Sequence, residues 1–331
     1  MLARRRFAAL LSVASLAAPA IAIPRAGWAR EEYPARTIRL IVPWPPGGGV
    51  DAFARVVQAA LAEQLGQAIV VDNIGGGSGR IGTQTAARAA PDGYTLLLAN
   101  DTFAATEALP IAGSAALRPA FDPVTLAISG PQGLYTHPKS GIRTVEEFAA
   151  AAMARPGRLN IGVPGLGSSQ HLTSELLLRA ASNLRVTHVP YRGGGPLLQD
   201  LVAGNIDGAV VTFAAGAQQA KSGHLVPLAV TSAQRTPTFP EVPTASESIA
   251  PGFVQATWMG IFAPKGTPFE IRHRVNDALG AVLENAAIVS RLRDLGFEPV
   301  GQGGAQFAGL FDETVKTFAD IANDRQIAAG D

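Results

Sequence analysis

The sequence contains no cysteine, which excludes disulfide bonds, thiol catalysis and cysteine-ligated metals. Charged residues are also scarce, at 16% of the chain, and the formal net charge is +1. A near-neutral chain without basic runs beyond its first residues lacks the surface that nucleic-acid-binding proteins use. Hydrophobic residues make up 47% of the 331 positions, which is enough for two domains with cores of their own.

The N-terminal region has the pattern of a targeting segment. Three arginines at positions 4–6 precede an apolar, alanine-rich stretch at 7–23, and small residues stand at 27–29. We predict that residues 1–29 are a signal peptide cleaved near Ala29, followed by an exported, periplasmic chain. The arginines also fit a twin-arginine signal. A membrane anchor is the alternative, but the stretch is short and is interrupted by a proline.

A strand, a glycine turn and a helix follow one another near the start of the exported chain. The apolar run at 38–42 leads through prolines into Gly47, Gly48 and Gly49, and apolar residues then recur every three or four positions. The free N–H groups and the dipole of a helix start favour a carboxylate or phosphate. A tight connection without any ligand is the simpler alternative.

A second glycine loop, residues 77–82, matches G-x-G-x-x-G after a strand, and Asp101 lies where a ribose-binding acid would stand. This pattern indicates a nicotinamide-dependent oxidoreductase. An exported protein has little access to that cofactor, so we predict that none is bound. The loop also follows the second strand of its unit, whereas the opening glycine turn follows the first.

The strand–loop–helix plan of residues 38–101 is repeated over residues 159–230, again with glycine loops at the strand ends. Each unit predicts a parallel sheet with helical crossovers, and hence an α/β fold. Ligands bind at the carboxyl ends of such strands, so two facing units would form a cleft. Proline-rich stretches at 121–137 and 236–251 are suited to crossings between the two domains.

Ser168, Ser169 and His171 suggest a nucleophile and a base, but no G-x-S-x-G elbow is present. A serine that caps a helix explains them more simply. The five histidines are scattered without H-E-x-x-H spacing, so we predict no metal site and no catalytic residues.

Several motifs, in order along the chain, resemble the Bug family, the extracytoplasmic solute-binding proteins of tripartite tricarboxylate transporters. They include YPARTI and VPWPPGGGVD within 33–51, APDGYTL at 90–96, GLGSSQHL at 165–172 and VPYRGGGP at 189–196. The stretches 239–244 and 258–268 are similar too. Two departures stand near the expected pocket: Ser78 within the second glycine loop, and Asn100-Asp101 where small or hydroxyl residues are usual.

The resemblance implies a two-domain periplasmic-binding-protein fold of type II, each domain a doubly wound sheet, closing on a small carboxylate-bearing solute. Domain 1 would comprise 33–128 and 249–331, and domain 2 would comprise 129–248. The resemblance carries ligand contacts onto Trp44, Gly47, Gly48, Asp51, Gly77, Ser78, Gly167, Ser168, Ser169, Tyr191 and Gly193. We add Asp101 and Asp207 as acids at strand ends.

The function expected on this basis is capture of the solute and delivery to the permease components of a tripartite tricarboxylate transporter. The protein would be a monomer and not an enzyme. Two alternatives stay open, an oxidoreductase that uses the G-x-G-x-x-G loop and a sensor that signals to a membrane receptor. Neighbouring permease genes would favour transport over sensing.

Overall fold

The computed structural model describes residues 33–109 and 115–325, so the predicted signal peptide lies outside the described residues. The strands are β1 (Ile38–Val42), β2 (Ile69–Asn73), β3 (Thr95–Asn100), β4 (Phe121–Thr136), β5 (Asn160–Val163), β6 (Thr187–Pro190), β7 (Gly208–Thr212), β8 (Val226–Val230), β9 (Ala256–Pro264) and β10 (Glu298–Gly303). The α-helices are α1 (Gly49–Leu65), α2 (Arg80–Ala87), α3 (Thr102–Ala108), α4 (Val145–Ala154), α5 (Ser169–Ala180), α6 (Gly194–Ala203), α7 (Phe213–Lys221), α8 (Phe269–Glu284), α9 (Ala286–Asp294) and α10 (Gly304–Arg325).

The strands form two sheets that share β4. In the first sheet β2, β1 and β3 run parallel in that order, and β9 and then β4 continue it antiparallel, with β10 also on β4. In the second sheet β6, β5 and β7 are parallel, and β4 pairs antiparallel with both β7 and β8. Both predicted parallel units are therefore present. We call the first sheet with α1–α3 and α8–α10 the first lobe, and the second sheet with α4–α7 the second lobe.

Each sheet is covered by helices on both faces, because its strands are apolar on both sides. Along β1, for example, Leu40 packs towards α1 and α8, whereas its neighbour Ile41 packs towards α3 and α10. In the second lobe α4 and α5 cover one face and α6 and α7 cover the other. The sheets are therefore doubly wound, as predicted. Among the described residues, no helix combines the length and the apolar character needed to cross a membrane.

β4 is longer and more regular than its sequence suggests. Strand residues mixed with prolines and glycines at 121–137 predict a crossing between the domains, and the structure has one strand of 16 residues there. The strand pairs with β9 as far as Pro131 and with β7 from Gln132 onward. Its register shifts at two places in the pairing with β9, which is how a strand accommodates Pro123 and still continues. One extended strand therefore belongs to both sheets.

Candidate ligand-binding site

A small cavity of about 20 Å³ lies between the lobes, where the carboxyl ends of β1, β3, β5 and β7 meet. It is lined by Trp44, Gly48, Gly49, Val50, Asn100, Pro164, Gln170, Gly194, Val211, Thr212 and Ala215. Four helices, α1, α5, α6 and α7, begin at these residues or directly beside them. Of the described residues that line the cavity, none carries a charge. Backbone N–H groups and helix dipoles therefore dominate its electrostatics, and both favour an anion.

The first glycine loop is held by Asp51, in the first turn of α1. One carboxylate oxygen of Asp51 accepts from the Gly47 N–H at 3.1 Å. The other accepts from Arg55 Nε at 3.2 Å and from Asn73 Nδ2 at 3.0 Å. Asp51 thus fixes the loop from behind, and it is not among the residues that line the cavity.

Two polar side chains orient each other on the wall from the first lobe. Trp44 Nε1 donates to Asn100 Oδ1 at 3.2 Å, and both side chains are buried. Because the amide oxygen of Asn100 is engaged by the indole, its NH₂ group is the part of the amide that remains for a ligand. The predicted site residue Trp44 therefore lines the cavity and also positions Asn100, which sequence reasoning noted only as a departure from the family pattern.

Gln170 connects the lobes across the cavity. Its Nε2 donates to Thr212 Oγ1 at 3.3 Å, while its Oε1 accepts from Thr102 Oγ1 at 3.3 Å. Thr102 also contacts Ser169, with the two hydroxyl oxygens 3.0 Å apart. A buried hydrogen-bonded chain therefore runs from α3 of the first lobe to the end of β7 in the second.

The start of α5 is shaped by two local hydrogen bonds. Ser168 Oγ accepts from the His171 N–H at 3.2 Å, so the prediction of a helix-capping serine is confirmed. The Gly167 N–H donates to His171 Nδ1 at 3.1 Å, which leaves the ring proton of a neutral His171 on Nε2. Burial lowers the pKa of His171 to about 4, with a further lowering from His188, so the ring is neutral.

A possible metal-ligand group lies beside this helix start. Ligand atoms of His171, Glu175 and His188 lie within 4.8 Å of one another. A metal on Nε2 of His171 would have to displace the proton that the Gly167 contact places there. His188 also pairs through Nδ1 with Glu175 at 3.2 Å. The hydrogen bonds account for this group as a structural support of α5.

The lobes approach each other through glycines. A Cβ on Gly195 would lie 2.4 Å from the carbonyl oxygen of Pro46, and one on Gly193 would lie 2.7 Å from Pro45 Cδ. Gly48 and Gly194 also face each other at contact distance. Because no side chain fits at Gly193 or Gly195, these glycines allow the two loops to close directly on the cavity.

The second glycine loop lies outside this contact, on an open groove of about 770 Å³ that both lobes line. Ser78 Oγ donates to the Leu166 carbonyl oxygen across the lobes at 2.9 Å. A Cβ on Gly82 would lie 2.5 Å from the Ile74 carbonyl oxygen and 2.7 Å from Pro43 Cα. The last glycine of the G-x-G-x-x-G pattern therefore permits close packing of α2 against β1 and β2.

The predicted site residues fall into three groups. Trp44 and Gly48 line the cavity. The outer groove is lined by Gly77, Ser78 and Tyr191. Except for Asp207, which lies at the other end of β5, the remaining predicted residues lie in or behind the surrounding loops: Gly47, Asp51, Asp101, Gly167, Ser168, Ser169 and Gly193.

Two of the predicted residues have clear structural partners. Tyr191 donates its hydroxyl to Asp200 at 2.7 Å, and burial together with that acid raises the tyrosine pKa to about 12. Asp207 accepts from the Asn160 N–H at 2.8 Å, at the other end of β5 from the cavity. Both contacts lie within the second lobe and hold its loops in place.

Sequence reasoning did not assign Gly49, Asn100, Gln170, Gly194 or Thr212 to the site. Gly194 follows the predicted Gly193 in the same glycine run, so the prediction missed the lining residue by one position. Thr212 ends β7 and precedes α7, which is the position that the strand-end rule would have indicated.

Comparison with known proteins identifies the family. The model of the tripartite tricarboxylate transporter family receptor, TctC, matches residues 53–327. The chain belongs to this family. A protein from the tcbD-tcbE intergenic region of Pseudomonas sp. (strain P51) is 38% identical over 284 residues, covering 85% of this chain and 84% of the relative. BugT of Bordetella pertussis is 34% identical over 316 residues, covering 95% of this chain and 94% of BugT. The resemblance to the Bug family is therefore confirmed.

Solved structures of TctC and Bug relatives confirm the fold. The periplasmic binding protein BugD is 29% identical with a TM-score of 0.84, over 89% of this chain and 99% of BugD. Rpa4515 of R. palustris, solved with adipate, is 32% identical with a TM-score of 0.85, over 89% of this chain and 99% of Rpa4515. MatC of Rhodopseudomonas palustris, solved with malate, is 32% identical with a TM-score of 0.81, over 87% of this chain and 99% of MatC. The chain therefore has the two-domain fold of periplasmic solute-binding proteins, and a solute-binding role.

Proposed function

We propose that this protein captures a small carboxylate-bearing solute in the cavity between its lobes and delivers it to the membrane components of a tripartite tricarboxylate transporter. The observation that carries the proposal is the convergence of four helix starts on a cavity without charged side chains. A carboxylate in this position would be held by backbone N–H groups, with Asn100 and Thr212 as neutral polar neighbours.

The volume of the cavity bears on how the solute enters. About 20 Å³ is room for one or two water molecules, so it is smaller than a dicarboxylate. The lobes would therefore separate to admit the solute and then close on it. Closure is favoured because neither lobe alone supplies all four helix starts, so an occupied cavity stabilises the arrangement that unites them.

The adipate and malate bound by the two R. palustris relatives support a dicarboxylate as the ligand class. The neutral lining supports binding without catalysis, because no residue that lines the cavity is a general acid or base of ordinary reactivity. We further propose that the protein acts as a periplasmic monomer after cleavage near Ala29. Domain boundaries at 33–128 with 249–331 and at 129–248 are supported by β4, which changes sheet between Pro131 and Gln132.

The test is mass spectrometry of ligand retained by the purified protein, followed by calorimetry with adipate, malate, citrate, NAD and NADP. We expect a retained organic acid, tight binding of at least one dicarboxylate and no heat with either nucleotide. Binding of NAD or NADP at micromolar concentrations without carboxylate binding would overturn the proposal. Edman sequencing of protein from a periplasmic extract checks the expected start near Arg30.

A further inference from the structure

Asp101 is a fully buried acid directly behind the cavity. It follows β3 and precedes the first turn of α3, with none of its surface exposed. Its Oδ1 accepts from Ser169 Oγ at 2.7 Å and from Thr257 Oγ1 at 2.8 Å. Its Oδ2 is also buried and has no hydrogen-bond partner among the described residues.

This geometry suits the protonated form of the acid. A carboxylate shares its charge between two oxygens, and leaving one of them buried without a donor strongly disfavours the charged form. With a proton on Oδ2, Oδ1 becomes a carbonyl oxygen that accepts both hydroxyl hydrogen bonds. Burial raises the pKa of Asp101 to about 7, although the Ser169 and Thr257 hydrogen bonds lower it.

The burial of Asp101 depends on contact between the lobes. Asp101 and Thr257 belong to the first lobe, whereas Ser169 begins α5 in the second lobe. Separation of the lobes would remove Ser169 and admit water to the carboxyl group. Ser169 Oγ is also 3.2 Å from Gln170 Oε1, and Gln170 lines the cavity, so Asp101 is two side chains away from a bound solute.

Charged groups on the surrounding elements do not compensate Asp101. β3 and β9 carry no titratable side chain. The described titratable side chains on the helices packed against α3, and on α3 itself, are Arg80, Glu107, His171, Glu175, Arg179, Asp312, Glu313, Lys316, Asp320 and Asp324. The pKa of Asp101 responds to burial, to the two hydroxyls and to backbone N–H groups, with no charged side chain among its causes.

We propose that closure of the lobes on an anionic solute takes up one proton at Asp101. This inference rests on the proposed function, because it needs the lobes to close on an anion. A neutral Asp101 removes the repulsion that a second negative charge would exert on the solute from behind the cavity. The protein would then bind the anion and the proton together.

The sign of the pH effect follows from linkage. In the open state water would surround Asp101 and return its pKa towards the ordinary value of 3.8, whereas in the closed state burial raises the pKa to about 7. Protonation therefore favours closure between these values, and the gain is lost as the pH rises through about 7. Between about pH 5.5 and about pH 8.5 the affinity should fall by about 10- to 30-fold.

The experiment measures the dissociation constants of adipate and malate for the mature chain and for Asp101→Asn at both pH values. Protonation of the solute affects both proteins equally, so the ratio of their affinities isolates position 101. We expect the wild type to lose about 10- to 30-fold more affinity than Asp101→Asn as the pH rises. Calorimetry in buffers of different ionisation enthalpy should show proton uptake that the variant lacks. Glu107→Gln, on the same helix, should keep the wild-type profile.

A second variant tests the inference independently in case Asp101→Asn does not fold. Thr257→Val removes one hydroxyl that lowers the pKa of Asp101, at the side away from the solute. It should move the fall in affinity to higher pH by about one unit. Solute binding with the same pH profile in all the variants would overturn this inference and leave the proposed function intact. Absence of carboxylate binding in every protein would overturn both.

Discussion

The two glycine loops of the first lobe follow the same local pattern and occupy different places. The first opens α1, of 17 residues, with Gly48 at φ −85° and ψ 170°, and faces the cavity. The second opens α2, of 8 residues, with Gly79 in a left-handed conformation, and lines the outer groove. β1 is central in the order β2-β1-β3, whereas β2 is the edge strand, and of the two loops only the first lines the cavity between the lobes. The local pattern predicts the turn, and its position in the sheet decides whether the turn lines the cavity.

The largest expected effect tests the first loop. Gly48→Val places a branched side chain in a cavity of about 20 Å³ and opposite Gly194, so affinity for the carboxylate should fall by more than about 100-fold. The backbone angles of Gly48 suit any residue, so the melting temperature without ligand should change by only about a few degrees. Gly280→Val, on α8 with open space around it, is the matched control and should bind normally. Wild-type affinity in Gly48→Val would place the solute elsewhere.

A smaller loss is expected when the support of the first loop is removed. Asp51→Ala abolishes the hydrogen bond to the Gly47 N–H and the contacts with Arg55 and Asn73. Affinity should fall about 10-fold, because a hydrogen bond to a charged group contributes roughly 1.5–3 kcal/mol. Asp92→Ala, which removes an exposed ion pair with Arg36, is the control for loss of an acid. Calorimetry on both variants measures the difference.

Ser168→Ala removes the cap of α5 and should act mainly on stability. Chemical denaturation should show a loss of about 1 kcal/mol, the usual contribution of a serine cap. Affinity should change by only about two- to threefold, because the capping hydroxyl accepts from the His171 N–H. A loss of affinity beyond about tenfold with unchanged stability would mean that Ser168 contacts the solute directly.

The effect expected in the second loop is also small. Ser78→Ala removes the hydrogen bond to the Leu166 carbonyl oxygen, which joins the lobes outside the cavity. An ordinary hydrogen bond contributes about 0.5–1.5 kcal/mol, so affinity should fall about threefold through a weaker closed state. The off-rate of a bound dicarboxylate, followed by stopped flow, should rise by the same factor. If Ser78→Ala costs as much as Gly48→Val, the contrast between the loops is wrong.

Local chemistry made much of the fold predictable. The glycine turns, the Ser168 cap and the capping box of Thr144 and Glu147 depend on neighbours in sequence, and the structure contains all of them. β4 was harder to predict, because two prolines and two glycines suggest a break. Pairing with β9 on one side and β10 on the other compensates for the weak intrinsic strand preference.

The site was predictable only in part. The family motifs predicted that the glycine loops form part of the site, and Trp44 and Gly48 do line the cavity. Asn100 and Thr212 come from two strand ends and Gln170 from the first turn of α5, and only the folded topology brings them together. Asp101 illustrates the same limit: its sequence position suggested a ligand contact, whereas its burial follows from Ser169 and Thr257, which are 68 and 156 residues away.

The place of β9 also fixes the order in which the polypeptide can complete its structure. β9 ends at residue 264 of 331, yet it lies between β3 and β4, which are made much earlier. Until β9 has been synthesised and has paired with them, β3 and the first half of β4 expose unpaired edges. A shortened polypeptide that stops before β9 would therefore lack a finished sheet in its first lobe. The two lobes are not separable modules, because any cut that divides them must also divide β4 or deprive one sheet of it.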